Sequence, residues 1–354
     1  MNQNRIKHFF IFHLLIILAA GSSCTSNSQN SFVPRDPMPL DEIEYSFIHM
    51  DEYLPISVVE KSEQPFIFPR KDNITLPESF AHNGNTYNTQ HYLDSSDTQG
   101  FLVIQNDTIV YENYWKGQQE AIRHISWSMA KSYISALFGI AIDEGYIKSI
   151  HQTADEYLPE LKGSGYEGVK IKDILQMSSG VGFDENYADP QSDIQQYWVG
   201  FVEGDSQDKF ASTLVRERTP GTYNKYVSID THVLGMIIVK ATGKSLTHYL
   251  EEKLWKPLGT EFYAYWLVDG HGMEMALGGI NACLRDYAKI GRLYLNNGNW
   301  NGKQIVPTDW CKASTTATEE HLQPQSDNSS SKGMGYGYQW WIPDGNEGEF
   351  MAMG

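Results

Sequence analysis

The stretch SWSMAKSYISALFGIAID, residues 126–143, contains the strongest fold signal in the chain. Its long apolar run predicts a buried helix that is closed by Gly145. Ser128 and Lys131 are three residues apart, so they share one helix face. The positive end of a helix dipole helps an oxyanion, and apolar surroundings lower the pKa of a lysine. The stretch therefore indicates a serine nucleophile beside a lysine base; a capping serine with a surface lysine is the alternative.

The Ser-x-x-Lys pattern by itself carries little information because a pattern this short arises readily by chance. It occurs at Ser128, at Ser206 and at Ser329. The second and third copies lie in polar runs that predict solvated loops. Only Ser128 begins an apolar helix, and we therefore select it as the candidate nucleophile.

A second candidate group follows a predicted turn at residues 220–222. Tyr226 and Ser228 come just before another helical run. A tyrosine here could complete a proton-transfer group with Ser128 and Lys131, provided that a cation lowers its pKa from about 10. Lys131 is the expected cation. The alternative role for Tyr226 is packing.

Motifs typical of metallohydrolases, α/β-hydrolases and phosphate-binding enzymes are absent from the sequence. The chain contains no His-x-His, no His-Glu-x-x-His, no Gly-x-Ser-x-Gly and no glycine-rich phosphate loop. A metallohydrolase and an α/β-hydrolase are therefore disfavoured, and we expect neither a metal nor an organic cofactor. The 44 acidic against 27 basic residues give a net charge of −17, which argues against a nucleic-acid partner.

The order of predicted elements indicates an α+β fold. A strand hairpin turns at Asn106 and Asp107, helices fill the middle of the chain, and strands return at residues 334–341 and 350–354. This order predicts an antiparallel sheet that is flanked by helices and split by an inserted helical subdomain.

The N-terminus predicts export to a bacterial cell envelope. Residues 1–23 have the basic and apolar regions of a signal peptide, and the cysteine that follows, Cys24, indicates a periplasm-facing lipoprotein. Plain secretion is the alternative. Loss of Arg5 and Lys7 would change the charge from −17 to −19. Residues 24–90 then read as a tether and irregular extension, and residues 91–354 as the catalytic domain.

Two further cysteines, Cys283 and Cys311, could pair in an oxidising compartment. No feature of the sequence brings them together, so we expect two buried free thiols.

Together these stretches resemble the serine β-lactamase-related and penicillin-recognising hydrolases, most strongly the class C-like branch with esterases and 6-aminohexanoate-dimer hydrolases. The matching stretches follow the family's order: FLVIQNDTIVY (101–111), SWSMAK (126–131), IKDILQMSSG (171–180), PGTYNKYVSIDTHVLG (220–235), GGINACLRDYAKIG (278–291) and YGYQWW (336–341). The resemblance implies a β-lactamase/transpeptidase-like fold.

The resemblance also implies roles for single residues. Ser128 corresponds to the acylated nucleophile, and Lys131 and Tyr226 to its proton-relay partners. Ser228 stands where many relatives have an asparagine, which disfavours β-lactam binding. Tyr187 resembles a loop tyrosine that contacts the substrate amide, with loop packing as the alternative. Trp340 and Trp341 are candidates to wall the pocket, and one of the two is expected to face the core, since strand neighbours point to opposite sides.

The implied activity is hydrolysis of a small-molecule amide or ester through an acyl-enzyme, without a cofactor and with membrane contact only through the lipid anchor. The alternatives are a D-Ala-D-Ala carboxypeptidase-like cell-wall enzyme and an inactive lipid-anchored binding protein. The family's third motif, with its final strands and helix, is expected beyond Gly354. We expect a chain that ends there to be poorly active or unstable.

Overall fold

The computed structural model describes residues 43–345 and 348–354. The predicted signal peptide, Cys24 and the first part of the predicted tether lie outside the described residues. No helix within the described ranges is long and apolar enough to cross a membrane.

Helices occupy the middle of the chain, between residues 130 and 250, and strands lie mainly before and after them. The strands are β1 (Ile56–Val59), β2 (Ser79–His82), β3 (Asn85–Asn88), β4 (Gly100–Gln105), β5 (Thr108–Tyr114), β6 (His124–Ile125), β7 (Ala264–Leu267), β8 (Ile280–Ala282), β9 (Asn299–Trp300), β10 (Lys303–Gln304), β11 (Met334–Tyr336) and β12 (Trp341–Pro343). The helices are α1 (Ile43–Ser46), α2 (Thr89–Ser95), α3 (Ala130–Asp143), α4 (Ala154–Tyr157), α5 (Ile171–Leu175), α6 (Asp193–Glu203), α7 (Gln207–Thr213), α8 (Ser228–Thr242), α9 (Leu246–Leu250), α10 (Leu284–Leu295) and α11 (Thr308–Ser314).

A four-stranded antiparallel sheet has the strand order β1-β7-β8-β6. The predicted nucleophile, Ser128, follows the edge strand β6 in the chain. Strand β1 lies within the stretch that we expected to be an irregular extension, and over residues 56–59 that expectation is wrong. Val59 is fully buried and Ser57 half-buried, whereas Ile56 and Val58 are exposed, so the strand turns one face of its alternating side chains toward the core. Residues 79–95 likewise form a hairpin and a helix.

The predicted hairpin at residues 101–111 is confirmed as β4 and β5. Asn106 and Asp107 both have positive φ, at 48° and 59°. A two-residue turn with both residues in this region matches the right-handed twist of the flanking strands, and short polar side chains tolerate it.

Helix α3 is the central helix, and its buried character follows from its apolar sequence. All residues from Ala130 to Ala141 are buried. A Cβ on Gly139 would lie 2.5 Å from the Trp310 indole, so only glycine allows α11 to approach this closely. The Trp310 indole N–H donates to the Ser135 carbonyl at 2.9 Å and fixes that contact.

The other predicted helices are also present. Helix α8 ends at Gly243, which has φ +69°, and the Ser245 hydroxyl caps α9 by accepting from the His248 N–H. Residues 334–341 were expected to form one strand. They instead form β11, a turn and the start of β12, and Tyr336 pairs with Trp341. Gln339 at φ +63° lies in its turn. Beyond it, the backbones of Met351 and Trp341 exchange two hydrogen bonds.

The prediction of free thiols is confirmed, because Cys283 and Cys311 are both buried and unpaired. Burial raises the pKa of each thiol to about 12.

A buried ion pair joins the β4–β5 hairpin to α10. The Arg285 guanidinium donates two bonds of 2.7 Å to the two carboxylate oxygens of Glu112. The Glu112 side chain is 1% exposed. Burial acts to raise the pKa of Glu112, but the bonds from Arg285 and Tyr114 outweigh it and lower the pKa.

Replacement of Arg285 by alanine should lower the free energy of unfolding by about 2 kcal/mol, because it removes two charge-assisted bonds from a buried carboxylate that keeps its bonds from Arg70 and Tyr114. Urea denaturation measures the loss. Lys244→Ala is the control: it removes an exposed pair with Glu252 and should cost less than about 1 kcal/mol. Equal losses in the two variants would contradict this account.

Candidate active site

The candidate nucleophile lies on a strained turn between the sheet and α3. The Ser126 N–H donates to the Ile280 carbonyl at 2.7 Å, which ties the end of β6 to β8. A short 3₁₀ turn over Trp127–Met129 follows, and α3 begins only at Ala130. Trp127 has φ +42°, an uncommon conformation for a large side chain. Backbone strain of this kind is concentrated at functional sites, and here it places Ser128 on the wall of a cavity.

Lys131 lies beneath Ser128, as the helical spacing predicts. Its Nζ atom is 2.9 Å from Ser128 Oγ and donates to the Leu277 carbonyl at 2.7 Å. The residue is 2% exposed. Burial lowers the pKa of Lys131 to about 7, although the negative charge of Glu185 acts in the opposite direction. A large fraction of the amine is therefore neutral near neutral pH and can accept a proton.

Tyr226 lies beside this pair. Its ring centroid is 5.2 Å from Lys131 Nζ, and its ring stacks on Trp341 at 5.3 Å. We expected Lys131 to lower the pKa of Tyr226, but burial raises that pKa well above its usual value, even though a hydrogen bond with Ser128 opposes the rise. The expectation is wrong because the phenol is desolvated and the lysine beside it is not a full cation. The Tyr226 hydroxyl therefore stays protonated at neutral pH and can give up its proton only to a strongly basic atom, such as a departing alkoxide or amide nitrogen.

The loop before α6 brings Glu185 and Tyr187 to the site. The Ser228 backbone N–H, at the start of α8, donates to the Glu185 carboxylate. Tyr187 lines the cavity and is 47% exposed. The Gln195 side-chain amide donates a hydrogen bond to the backbone carbonyl of Tyr187 at 2.7 Å. Burial and the charge of Glu185 raise the pKa of Tyr187. Glu185 could not be selected from the sequence, because the acidic loop around it contains several similar residues and no local pattern distinguishes one of them.

The cavity beside Ser128 has a volume of about 480 Å³ and is walled mainly by apolar side chains. Tyr187, Ser228 and Trp341 line it as predicted. Trp340 does not: it is buried and packs against Tyr294, with ring centroids 4.4 Å apart. Trp340 is therefore the tryptophan that faces the core, and its selection as a substrate-binding residue is wrong, because the side chains of neighbouring residues point to opposite sides.

The segment before β1 also contributes to the cavity wall, which sequence analysis did not anticipate. Ser46 and Phe47 line the cavity. The Phe47 ring lies 5.5 Å from that of Trp127 in an edge-to-face arrangement, and its carbonyl accepts from the Ile125 N–H at 2.9 Å. Part of the predicted tether is therefore part of the site.

The other two Ser-x-x-Lys copies have structural roles. Ser206 caps α7 by accepting from the Lys209 N–H at 3.3 Å. Ser329 is buried, and its hydroxyl donates to Asn224 Oδ1 at 3.2 Å. In the described part of the chain, no group of three or more His, Cys, Asp or Glu side chains is arranged to hold a metal ion.

Comparison with known proteins assigns this chain to a family. The Beta-lactamase family model matches residues 88–353. The 6-aminohexanoate-dimer hydrolase of Paenarthrobacter ureafaciens is 30% identical over 270 residues, which cover 74% of this chain and 68% of that protein. An Escherichia coli protein assigned as a D-alanyl-D-alanine carboxypeptidase is 30% identical over 182 residues, covering 45% of this chain and 41% of its own length.

The solved structures agree with the sequence comparisons. A Bacillus anthracis protein assigned as a 6-aminohexanoate-dimer hydrolase superimposes with a TM-score of 0.76 and 29% identity, covering 93% of this chain and 87% of that one. The match confirms the predicted β-lactamase/transpeptidase-like fold. The chain, with a serine and a buried lysine in contact at the start of its central helix, belongs to the beta-lactamase family of serine hydrolases.

Proposed function

We propose that the protein is an exported serine hydrolase that cleaves a small amide or ester through an acyl-enzyme on Ser128. The observation that carries the proposal is the 2.9 Å contact between Ser128 Oγ and the buried amine of Lys131. A buried lysine without an anionic partner at hydrogen-bond distance costs stability, and a proton-transfer role accounts for that cost.

Acylation follows from the positions of the three polar groups. The neutral Lys131 amine takes the proton from Ser128 Oγ as the oxygen forms a bond with the substrate carbonyl carbon. The positive end of α3 favours the negative charge that develops on the carbonyl oxygen. Tyr226 donates its proton to the departing amine or alcohol, and Lys131 then returns a proton to Tyr226.

Deacylation reverses these roles. A water molecule gives up a proton to the Lys131 and Tyr226 pair while its oxygen attacks the ester carbonyl. The bond to Ser128 Oγ then breaks, Ser128 regains a proton, and the acid product leaves. No step in this sequence requires a metal or an organic cofactor.

The relatives support an amide or ester as the scissile bond. The Paenarthrobacter ureafaciens relative is named for hydrolysis of a 6-aminohexanoate dimer. By analogy, we infer that Tyr187, Ser228 and Trp341 contact the substrate of the present protein, since all three line its cavity. The serine at position 228 has shorter reach than the asparagine found in many relatives, which disfavours β-lactams as substrates.

The two alternatives have less support. A D-Ala-D-Ala carboxypeptidase-like enzyme would use the same Ser128, Lys131 and Tyr226, but the Escherichia coli relative assigned to that activity matches only 45% of this chain. A binding protein without catalysis has no use for a buried lysine beside a serine hydroxyl. The serine hydrolase is therefore the function that the site supports best.

Replacement of Ser128 by alanine should abolish labelling by a fluorophosphonate and lower ester hydrolysis by about 10³-fold or more. Gel fluorescence and p-nitrophenol release measure the two effects. Ser206→Ala is the matched control, because that serine also belongs to a Ser-x-x-Lys pattern but caps a helix. Labelling that survives in Ser128→Ala and disappears in Ser206→Ala would refute the assignment, and a wild-type protein that never labels would favour the binding protein.

The pH dependence of kcat/KM should report the titration of Lys131. Because the neutral amine accepts the proton, activity should rise with pH through a midpoint near 7, the pKa of Lys131. Lys131→Arg should lower activity by about 10²-fold or more at every pH, since a guanidinium does not lose its proton. Lys209→Arg should keep the wild-type profile. A wild-type profile without a step near pH 7 would contradict the proposed base.

The proposed envelope location rests on residues 1–23 and Cys24. In a bacterial host, Cys24→Ala should prevent incorporation of radiolabelled palmitate and move the protein from the membrane fraction to the soluble fraction. Cys283→Ala is the control, because that thiol is buried in the fold. Palmitate on the Cys24→Ala protein would exclude the lipoprotein proposal.

A further inference from the structure

Helix α5 is followed by a methionine in a backbone conformation that favours glycine. Met177 has φ +52° and is fully buried. Its N–H donates to the Ile174 carbonyl at 3.1 Å, and the Ser178 N–H donates to the Asp173 carbonyl at 2.7 Å. These two bonds form a Schellman motif, in which glycine is the usual left-handed residue because it has no Cβ. A methionine here indicates that its side chain has a role that glycine cannot fill.

The contacts of Met177 lie on both sides of Tyr226 in the chain. The Met177 carbonyl accepts from the Lys225 N–H at 2.9 Å, and its Sδ atom accepts from the Val227 N–H at 3.4 Å. Val227 is buried, so its N–H depends on an acceptor within the protein, and a thioether sulfur is a weak acceptor of this kind. Met177 thereby holds the backbone immediately before and after Tyr226.

The ring of Tyr226 is held by a second element that also reaches α5. It stacks on Trp341 of the β11–β12 hairpin, with ring centroids 5.3 Å apart. In the turn of that hairpin, the backbone N–H and the side-chain amide of Gln339 donate to the Leu175 carbonyl at 3.1 and 3.0 Å. The end of α5 therefore fixes both the backbone of Tyr226 and the hairpin on which its ring packs.

We propose that Met177 is a positioning residue that sets the Tyr226 hydroxyl to protonate a basic leaving group. This inference rests on the proposed serine hydrolase activity. As the bond between the carbonyl carbon and the leaving atom breaks, the Tyr226 proton passes to that atom, and Lys131 returns to Tyr226 the proton that it took from Ser128. An alkoxide or an amide nitrogen needs this proton, whereas p-nitrophenolate is a weak base and leaves as the anion.

Two esters of hexanoic acid separate these cases: ethyl hexanoate and p-nitrophenyl hexanoate. Both form the same acyl-enzyme, so they differ only in the leaving group, and kcat/KM compares its departure in the two. Met177→Leu nearly conserves side-chain volume but removes the sulfur acceptor. We expect it to lower the ethyl-to-p-nitrophenyl ratio of kcat/KM by about tenfold, because small displacements of a catalytic group have effects of this size or larger. Ethanol release and p-nitrophenol release measure the two rates.

Two further variants separate this effect from a general loss of structure. Met236→Leu is the matched control, because Met236 is buried in α8 and is not among the residues that line the cavity; it should keep the wild-type ratio. Met177→Gly removes the side chain but suits the left-handed backbone, and it should lower the ratio as Met177→Leu does. Both rates come from one preparation, so the ratio is independent of the fraction of enzyme that folds.

Tyr226→Phe tests whether Met177 acts through the phenol. Loss of the hydroxyl should lower the same ratio by about 10²-fold, and Met177→Leu added to this variant should cause no further fall. A wild-type ratio in either Met177 variant, or a further tenfold fall in the double variant, would overturn the proposal. A ratio that Tyr226→Phe leaves unchanged would instead overturn the role of Tyr226 in the proposed function.

Discussion

The buried amine of Lys131 is the constraint on which the site depends. It is desolvated beneath Ser128 and held between that hydroxyl and the Leu277 carbonyl, at 2.9 and 2.7 Å. Because α3 is buried on every side and Lys131 is only 2% exposed, the amine is largely desolvated and its pKa falls to about 7. Leu277 lies in the segment that leads into β8. The sheet and the central helix must therefore both be in position before the lysine can act as a base.

The rest of the fold brings separate elements to this point. Strand β6 leads into the strained turn at Trp127, and the loop before α6 supplies Tyr187 and Glu185. The β11–β12 hairpin presents Trp341, which stacks on Tyr226 and closes that side of the cavity. Aromatic contacts between distant segments stabilise this arrangement.

Much of the site was predictable where a signal is local. The i, i+3 spacing on an apolar helix was enough to select Ser128 with Lys131, and the turn before α8 was enough to select Tyr226. Errors arose where the outcome depends on distant neighbours. The face that Trp340 presents is set by packing against Tyr294, and the rise in the pKa of Tyr226 comes from burial by other segments. Phe47 and Glu185 were missed for the same reason.

Local periodicity and motif order in the amino-acid sequence by themselves determined the α+β class, the central helix, the family and the serine–lysine pair, because each stretch that carries these signals is short and can be recognised without its distant neighbours. Tertiary structure alone decided which tryptophan faces the cavity, that residues 46–47 join its wall, and that Glu185 is the carboxylate beside it. These properties depend on desolvation and on contacts across long stretches of chain, and both arise only when the segments pack together.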